Sequence, residues 1–289
     1  MKIEGWRYYN HLAIPTAAPH ENPKKAPIED NSIWQIDHKT PLLARWTTDF
    51  DCGYETNWWY VIKDTPFDIS KLKAKRRYEI NKGVKNFNVI KINPLDFKEE
   101  LYNVTVAAFS AYPKKRRPTV NKESFISGLE TWENYILFGA FYRETNELCG
   151  YVWITNPTNG CINFTTLKTK PQHEKNAVNA ALVEGILRYF NNSLANGCYI
   201  CDGERTINHE TAFQDYLEKY FAFRKAYCKL HVVYNPKFKF IIKFLYRFRK
   251  LLLKFDGIKI IHNLNSVLRM EEIVKNDNNK NGINNKFIT

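Results

Sequence analysis

The sequence predicts a mixed α/β (α+β) fold: a mostly antiparallel central sheet flanked by helices, with an N-terminal extension and a C-terminal amphipathic helix. Two observations predict it. From Asn88 to Tyr234 the hydrophobic period switches repeatedly between strand-like and helix-like spacing. Within that stretch three strand-like runs, 135–142, 148–154 and 161–169, follow one another across short turn-rich segments, the pattern of an antiparallel meander. A chain of 289 residues that is 44% apolar, with 19 Phe and 17 Tyr, has ample material for a core. That composition excludes globally disordered, collagen-like and coiled-coil classes.

Taken in order, residues 1–30 read as an extended arm punctuated by Pro15, Pro19, Pro23 and Pro27. Aromatic and β-branched content predicts strands at 34–37 and 58–62. Ser70 is placed to cap a helix from Lys71 that Gly83 ends. The run 88–92 alternates as a strand. Pro94 opens a helix through Phe109 with Leu95, Leu101, Val104 and Ala108 on one side, and Asn121 caps a second helix to about Leu129. The meander turns at 144–146 and at 156–160. A long helix over 174–190 carries Val178, Ala181, Leu182, Ile186 and Phe190 as its buried stripe, followed by a strand at 198–202, a helix at 210–221 and a strand at 227–234. The Asn-rich segment 275–289 has few large apolar groups and is expected to be disordered. The expected organisation is an arm with short strands over 1–70 packed on a main domain over 71–236, a basic amphipathic helical region over 237–274, and the tail.

No run reaches the roughly 18 apolar residues of a membrane span, and the polar, aromatic N-terminus lacks the apolar stretch of a secretory signal. Six cysteines, several inside apolar strand-like runs, read as reduced thiols of a cytoplasmic protein. The net charge of +13 is clustered. Eight bases and one acid fall in 71–91, four bases in 113–118, and seven bases with no acid in 237–254. In the last cluster Lys239, Lys243, Arg247, Lys250 and Lys254 recur at helical spacing within an arc of roughly 80°. Most of the remainder of 238–255 is apolar. A wide apolar face beside a lysine stripe suits a helix lying in the interface of an anionic membrane, at the inner face for a cytoplasmic protein. The alternative is a helix docked on the protein's own core.

Three local patterns bear on chemistry. Gln172-His173-Glu174-Lys175-Asn176-Ala177 joins a strand to a helix N-terminus, where free N–H groups and the helix dipole make an anion site. Ala212, Tyr216 and Phe221 fall in one short predicted helix, and Arg77, Ile80, Lys82, Gly83 and Lys85 form the third pattern. With the order β-α-α-β-β-β-α-β-α-β from Asn88, these resemble the GNAT acyltransferase fold, including its Fem-like and BioF-like branches, over roughly residues 71–234. The first matches the family's Q/R-x-x-G-x-G/A loop at Gln172 and Ala177. It departs at Lys175, where the family has Gly and where a side chain either obstructs phosphate or contacts it. The second matches N-x-x-A-x-x-x-Y-x-K-x-G-F, with His209, Glu218 and Tyr220 at the Asn, Lys and Gly positions. The third resembles the R-x-x-I-x-K segment of Fem-type transferases, as does Phe223-Arg224-Lys225.

The resemblance implies acetyl-CoA or another acyl-CoA as co-substrate, held by Gln172, Lys175, Asn176 and Ala177 at the pyrophosphate and by backbone groups of Thr165, Thr166 and Leu167 along the pantetheine arm. It implies Tyr216 as general acid toward the departing thiolate, the alternative being a core aromatic. Asp202 and Glu204 stand at the carboxyl end of a strand, where open α/β sheets place ligand chemistry, and are candidate bases. Asp-Gly is also an ordinary turn signal, and Glu204 with Arg205 an ordinary surface pair. No metal is expected. Cys198 and Cys201 have zinc-knuckle spacing without a second pair, and His209-Glu210-Thr211-Ala212-Phe213 breaks HExxH at its last position. The function read from this is N-acyl transfer, acetyl in the first instance, from acyl-CoA to an amine of a sugar, an envelope-glycan precursor or a small metabolite. The rivals are a Fem-like aminoacyltransferase using aminoacyl-tRNA, which the basic segments would bind, and a catalytically degenerate binding module of the same fold.

Overall fold

The computed structural model describes residues 2–114, 117–155, 159–207 and 212–284. The chain begins with β1 (Trp6–Tyr9), β2 (Leu12–Pro15), α1 (Ala26–Glu29), β3 (Leu43–Thr48) and β4 (Trp58–Lys63). Next come α2 (Ala74–Asn86), β5 (Phe87–Ile92), α3 (Lys98–Ser110), α4 (Lys122–Gly128), β6 (Tyr135–Tyr142), β7 (Leu148–Thr155) and β8 (Cys161–Thr169). Then follow α5 (Val178–Tyr189), α6 (Asn191–Ala195), β9 (Tyr199–Glu204), α7 (Ala212–Phe221) and β10 (Arg224–Tyr234). The C-terminal helices are α8 (Pro236–Tyr246), α9 (Arg249–Leu252) and α10 (Lys259–Asn284). The architecture is the expected mixed α/β one, with mostly antiparallel pairing.

The elements form two compact units, one of Met1–Val61, Glu204–Ala212 and Lys225–Thr289, the other of Ile62–Gly203 and Phe213–Arg224. These do not coincide with boundaries at 70, 236 and 274, because β10 pairs with β3 from Lys229↔Thr48 to Tyr234↔Leu43 and so joins early and late segments.

In the second unit the strand order is β9-β8-β7-β6-β5, antiparallel from β5 to β8. Alternation sorts its side chains. Leu137, Phe141, Leu148 and Tyr151 pack with Leu101 and Val104 of α3 and with Leu129 and Trp132. A Cβ at Gly150 would instead meet the side chain of Leu182 in α5. That helix buries Val178, Ala181, Leu182 and Ile186, as its periodicity predicts. Gly83 does not end a helix. It lies inside α2, where a Cβ would sit 2.6 Å from the carbonyl oxygen of Ala177 and 2.8 Å from the nitrogen of Ala181. The glycine is there because two helices touch backbone to backbone. The cap upstream is Asp68, whose carboxylate accepts from the N–H of Ser70, and not Ser70 itself; a short 3-10 turn, Ile69–Lys71, precedes α2.

In the first unit the order is β1-β2-β3-β10-β4. β1 and β2 form a hairpin through Asn10 and His11, both at positive φ (45° and 65°), as a tight two-residue turn requires. Leu43, Trp58, Cys228, Leu230 and Tyr234 form one core with Ile242 of α8 and with Leu268, Met270 and Ile273 of α10. Residues 34–37 are not a strand. A 3-10 turn, Ser32–Trp34, leads to a single bridge between Ile36 and Lys39 around Asp37 and His38, which are also at positive φ.

The continuous helix expected over 238–255 is broken. Bonds from Arg247 N–H to Phe244 O and from Phe248 N–H to Leu245 O tighten the chain, and Phe248 leaves helical dihedrals (φ −101°, ψ 10°). The break brings Arg249 to 3.3 Å from Glu272 and lays its guanidinium over Tyr246. Residues 276–284 continue α10 instead of being irregular, since Asp277 is anchored by the side-chain amide of Asn57 at 2.6 Å; 285–289 lie outside the described residues. Among the described residues no helix is long and apolar enough to cross a membrane.

Candidate active site

The seam between β8 and β9 organises the site. On one side of β8, Trp153 pairs with Thr166 and Ile154 with Phe164, so Thr165 is an extra, bulged residue. On the other side, parallel pairing with β9 covers Cys161↔Tyr199, Ile162↔Ile200 and Asn163↔Cys201 and stops there among the described residues. β8 continues to Thr169 and β9 to Glu204. Beyond Asn163 the strands therefore splay, and Thr165, Thr166 and Leu167 lie along the opened edge. Backbone N–H and C=O groups on such an edge suit an extended, amide-bearing chain.

Asp202 is the first β9 residue past the last pair. Burial pushes its carboxyl up to about 7, even though Gln214 of α7 hydrogen-bonds it and acts in the opposite direction. Gln214 is itself buried. A carboxyl with these surroundings exchanges a proton near neutrality. Gly203, at φ 98°, then turns the chain, its N–H pointing to the Cys201 sulfur at 3.3 Å. Tyr216 lies on the same short helix as Gln214. Burial, with the charges of Glu79 and Tyr220, holds its phenol well above the usual range, so it keeps its proton throughout the neutral region. An aromatic run links it to β8: Phe164 to Phe213 at 5.7 Å, Phe213 stacked on Tyr216 at 6.2 Å, and Tyr216 against Phe221 at 5.6 Å. His209, Glu210 and Thr211, just before α7, lie outside the described residues, as do Lys115 and Arg116 of the basic loop and Asn156–Thr158 of the second meander turn.

Glu204, the other candidate base, belongs to the first unit. Its oxygens accept from Arg45 and from the indole N–H of Trp58 at 3.2 Å, with the Arg45 guanidinium 5.4 Å from the Trp58 ring centre. That arrangement ties the carboxylate into a pair with Arg45 and Trp58.

The loop from Gln172 is a 3-10 turn, Pro171–Asn176, and α5 begins at Val178, four residues later than periodicity indicates. Ala177 between them is left-handed (φ 65°, ψ 39°), a conformation that costs an L-residue roughly 1–2 kcal/mol and that no feature of an alanine announces in sequence. Its N–H donates to Glu174 O at 2.9 Å, and the Asn176 carbonyl accepts from Asn86 Nδ2 at 3.1 Å. The first bond of α5 runs from Ala181 to Ala177, so the N–H groups of Val178, Asn179 and Ala180 precede it and have no partner within the helix. Lys175 beside them is exposed and Asn179 half-buried, whereas Val178 and Ala180 are fully buried; Ala177 contributes the bend and not its own N–H. Gln172 is exposed on the same turn.

A further cluster was invisible to spacing. Ligand atoms of Glu147, Cys149 and His173 lie within 4.8 Å of one another. The Lys170 ammonium is ion-paired with Glu147, and burial pushes the Cys149 thiol up to about 11. Cys201 is buried, its thiol pushed up by Cys161 and by burial.

No family model matches the chain, and no curated protein matches it in sequence. Among solved structures it is similar to L-PGS from Bacillus licheniformis, at 12% identity over 83% of each chain with a TM-score of 0.48. It is also similar to an acetyltransferase from Thermus thermophilus, at 13% identity over 52% of this chain and 97% of that one, with a TM-score of 0.38. The PaiA N-acetyltransferase from Thermoplasma acidophilum, in complex with coenzyme A, aligns at 16% identity over 36% of this chain and 72% of that one, with a TM-score of 0.28.

Proposed function

We propose that the chain is an N-acyltransferase that takes its acyl group from acyl-CoA, acetyl-CoA in the first instance, and delivers it to an amine of a sugar, an envelope-glycan precursor or a small metabolite. The observation that carries this reading is the splay after Asn163 and Cys201 with Asp202 at its opening. An acyl thioester supplies an activated carbonyl carbon. Asp202, titrating near 7, accepts the proton that the amine loses at nitrogen. Tyr216 retains its phenolic proton and delivers it to the departing sulfur. The edge of β8 at Thr165, Thr166 and Leu167 orients the amide-bearing arm, and Lys175 with the N–H group of Asn179 holds the phosphates.

Calorimetric titration of the purified chain with acetyl-CoA, repeated with Lys175→Glu, tests the donor. Binding that the substitution weakens supports it, and no binding sinks it. A second donor, aminoacyl-tRNA, is favoured by one observation: α2 is a basic helix with Lys75 and Lys85 exposed. Binding of charged tRNA that falls steeply with salt, in a chain that ignores acetyl-CoA, would favour that reading.

A further inference from the structure

The first unit carries an unpartnered face of a kind the catalytic reading does not use. Over α8, α9 and the turn after them, Phe240 is 82% exposed and Ile260, at the start of α10, 80% exposed. Ile241, Phe244, Phe248 and Leu251 are also exposed. Single exposed apolar residues are ordinary on a protein surface; a contiguous run of large ones marks a binding surface. The same stretch holds eight bases and one acid between residues 236 and 260. Seven of those bases are exposed, all but Arg249. The break at Phe248 does not disperse this chemistry, since apolar and basic side chains remain interleaved on both sides of it.

Beside these residues lies an apolar groove of about 260 Å³, walled by Ile242, Leu245, Leu264 and Val267, with exposed Ile241 and Ile260 also lining it. For scale, an apolar cavity of about 150 Å³ suffices to take up benzene. Three kinds of occupant could cover such a face. A second copy of the chain would, under twofold symmetry, set seven bases against seven identical bases. An acidic protein with an apolar groove takes up one continuous amphipathic helix, whereas this face runs over α8, the break at Phe248 and the start of α10. An anionic bilayer answers both: its headgroups meet the bases and its acyl region the Phe, Ile and Leu side chains.

We propose that this face docks on an anionic lipid surface, with the groove taking up one acyl chain. The proposal does not depend on the acyl-transfer reading, since its residues lie in α8, α9, α10 and the turn between them.

Co-sedimentation of the full chain with phosphatidylcholine vesicles, with and without phosphatidylglycerol, tests it. Retention is expected only with phosphatidylglycerol and should weaken with added salt. It should fall about tenfold with Phe240→Asp and about a hundredfold when Lys239, Lys243 and Lys250 are all changed to Gln. These side chains are exposed, so folding is preserved, and unchanged far-ultraviolet circular dichroism checks that. A fluorescent fatty acid in vesicle-free solution should bind one per chain and be lost with Ile260→Asp. Equal retention on neutral and anionic vesicles, or retention indifferent to both sets of substitutions, overturns the proposal. So does a concentration-dependent dimer that Phe240→Asp abolishes in a chain that ignores vesicles, and so does a fatty acid that fails to bind.

Discussion

Asn163 on β8 and Cys201 on β9 are the last residues at which those two parallel strands pair, and the next residue of β9 is the carboxylate that titrates near neutrality. The ladder that would have satisfied the edge of β8 therefore ends one residue before the carboxyl of Asp202.

Asp202→Asn should lower kcat/KM by roughly 10²–10⁴ for an amine acceptor. In the unsubstituted chain kcat/KM should rise with pH through an apparent pKa near 7, and that limb should vanish in the variant.

The same carboxyl has a stability signature of opposite sign. Its folded-state pKa is raised, so between about pH 4 and pH 7 the folded chain holds a proton that the unfolded chain has released, and stability falls as pH rises across that window. The full penalty is present above 7. Denaturant unfolding should find Asp202→Asn more stable than the parent above pH 7, by up to about 4 kcal/mol, and no more stable below pH 4. A gain that is independent of pH would show that the carboxyl is not buried as described.

Tyr216→Phe keeps the ring that stacks on Phe213 and removes the proton. Thermal stability should change by less than about 1 kcal/mol while kcat drops about 10²-fold. Equal losses in stability and rate would assign Tyr216 to packing alone.

Gly83→Ala sets two effects against each other. Alanine favours helix by up to about 1 kcal/mol, but its Cβ would enter the first turn of α5 at 2.6 Å from a backbone oxygen, where no flexible side chain can yield. Overpacking wins, and a net loss of about 1–3 kcal/mol is expected by chemical denaturation.

Glu204→Gln should cost about 1–2 kcal/mol, because the Arg45 guanidinium loses its counter-charge while the Trp58 indole keeps an acceptor. Its pH–rate profile should match the parent's. A shifted profile would return Glu204 to the catalytic candidates.

Much of this was legible in order and type. The meander strands, the cap at Asn121 and the buried stripe of α5 follow from period and capping chemistry, which act within a few residues. What was not legible depends on distant partners. Arg45 and Glu204 are 159 residues apart in sequence, and nothing local marks their pairing. Gly83 looked like a helix terminator because sequence shows its flexibility and not the helix pressed against it. The break at Phe248 answers Glu272 on another helix, although the lysine spacing around it is unbroken. Asp202 is a candidate through its place at a strand end, whereas Gln214, which bonds it, carries no motif.

The division of the chain also dictates an order of assembly during synthesis. All of the second unit has left the ribosome by Arg224, whereas the first still lacks β10 and its three C-terminal helices, about 65 residues more. At ~5–20 residues per second, Leu43 and Trp58 wait on the order of ten seconds or more after their own synthesis for the strand and helices that will bury them. β3 and β4 are therefore left through that interval without β10, the neighbour they share.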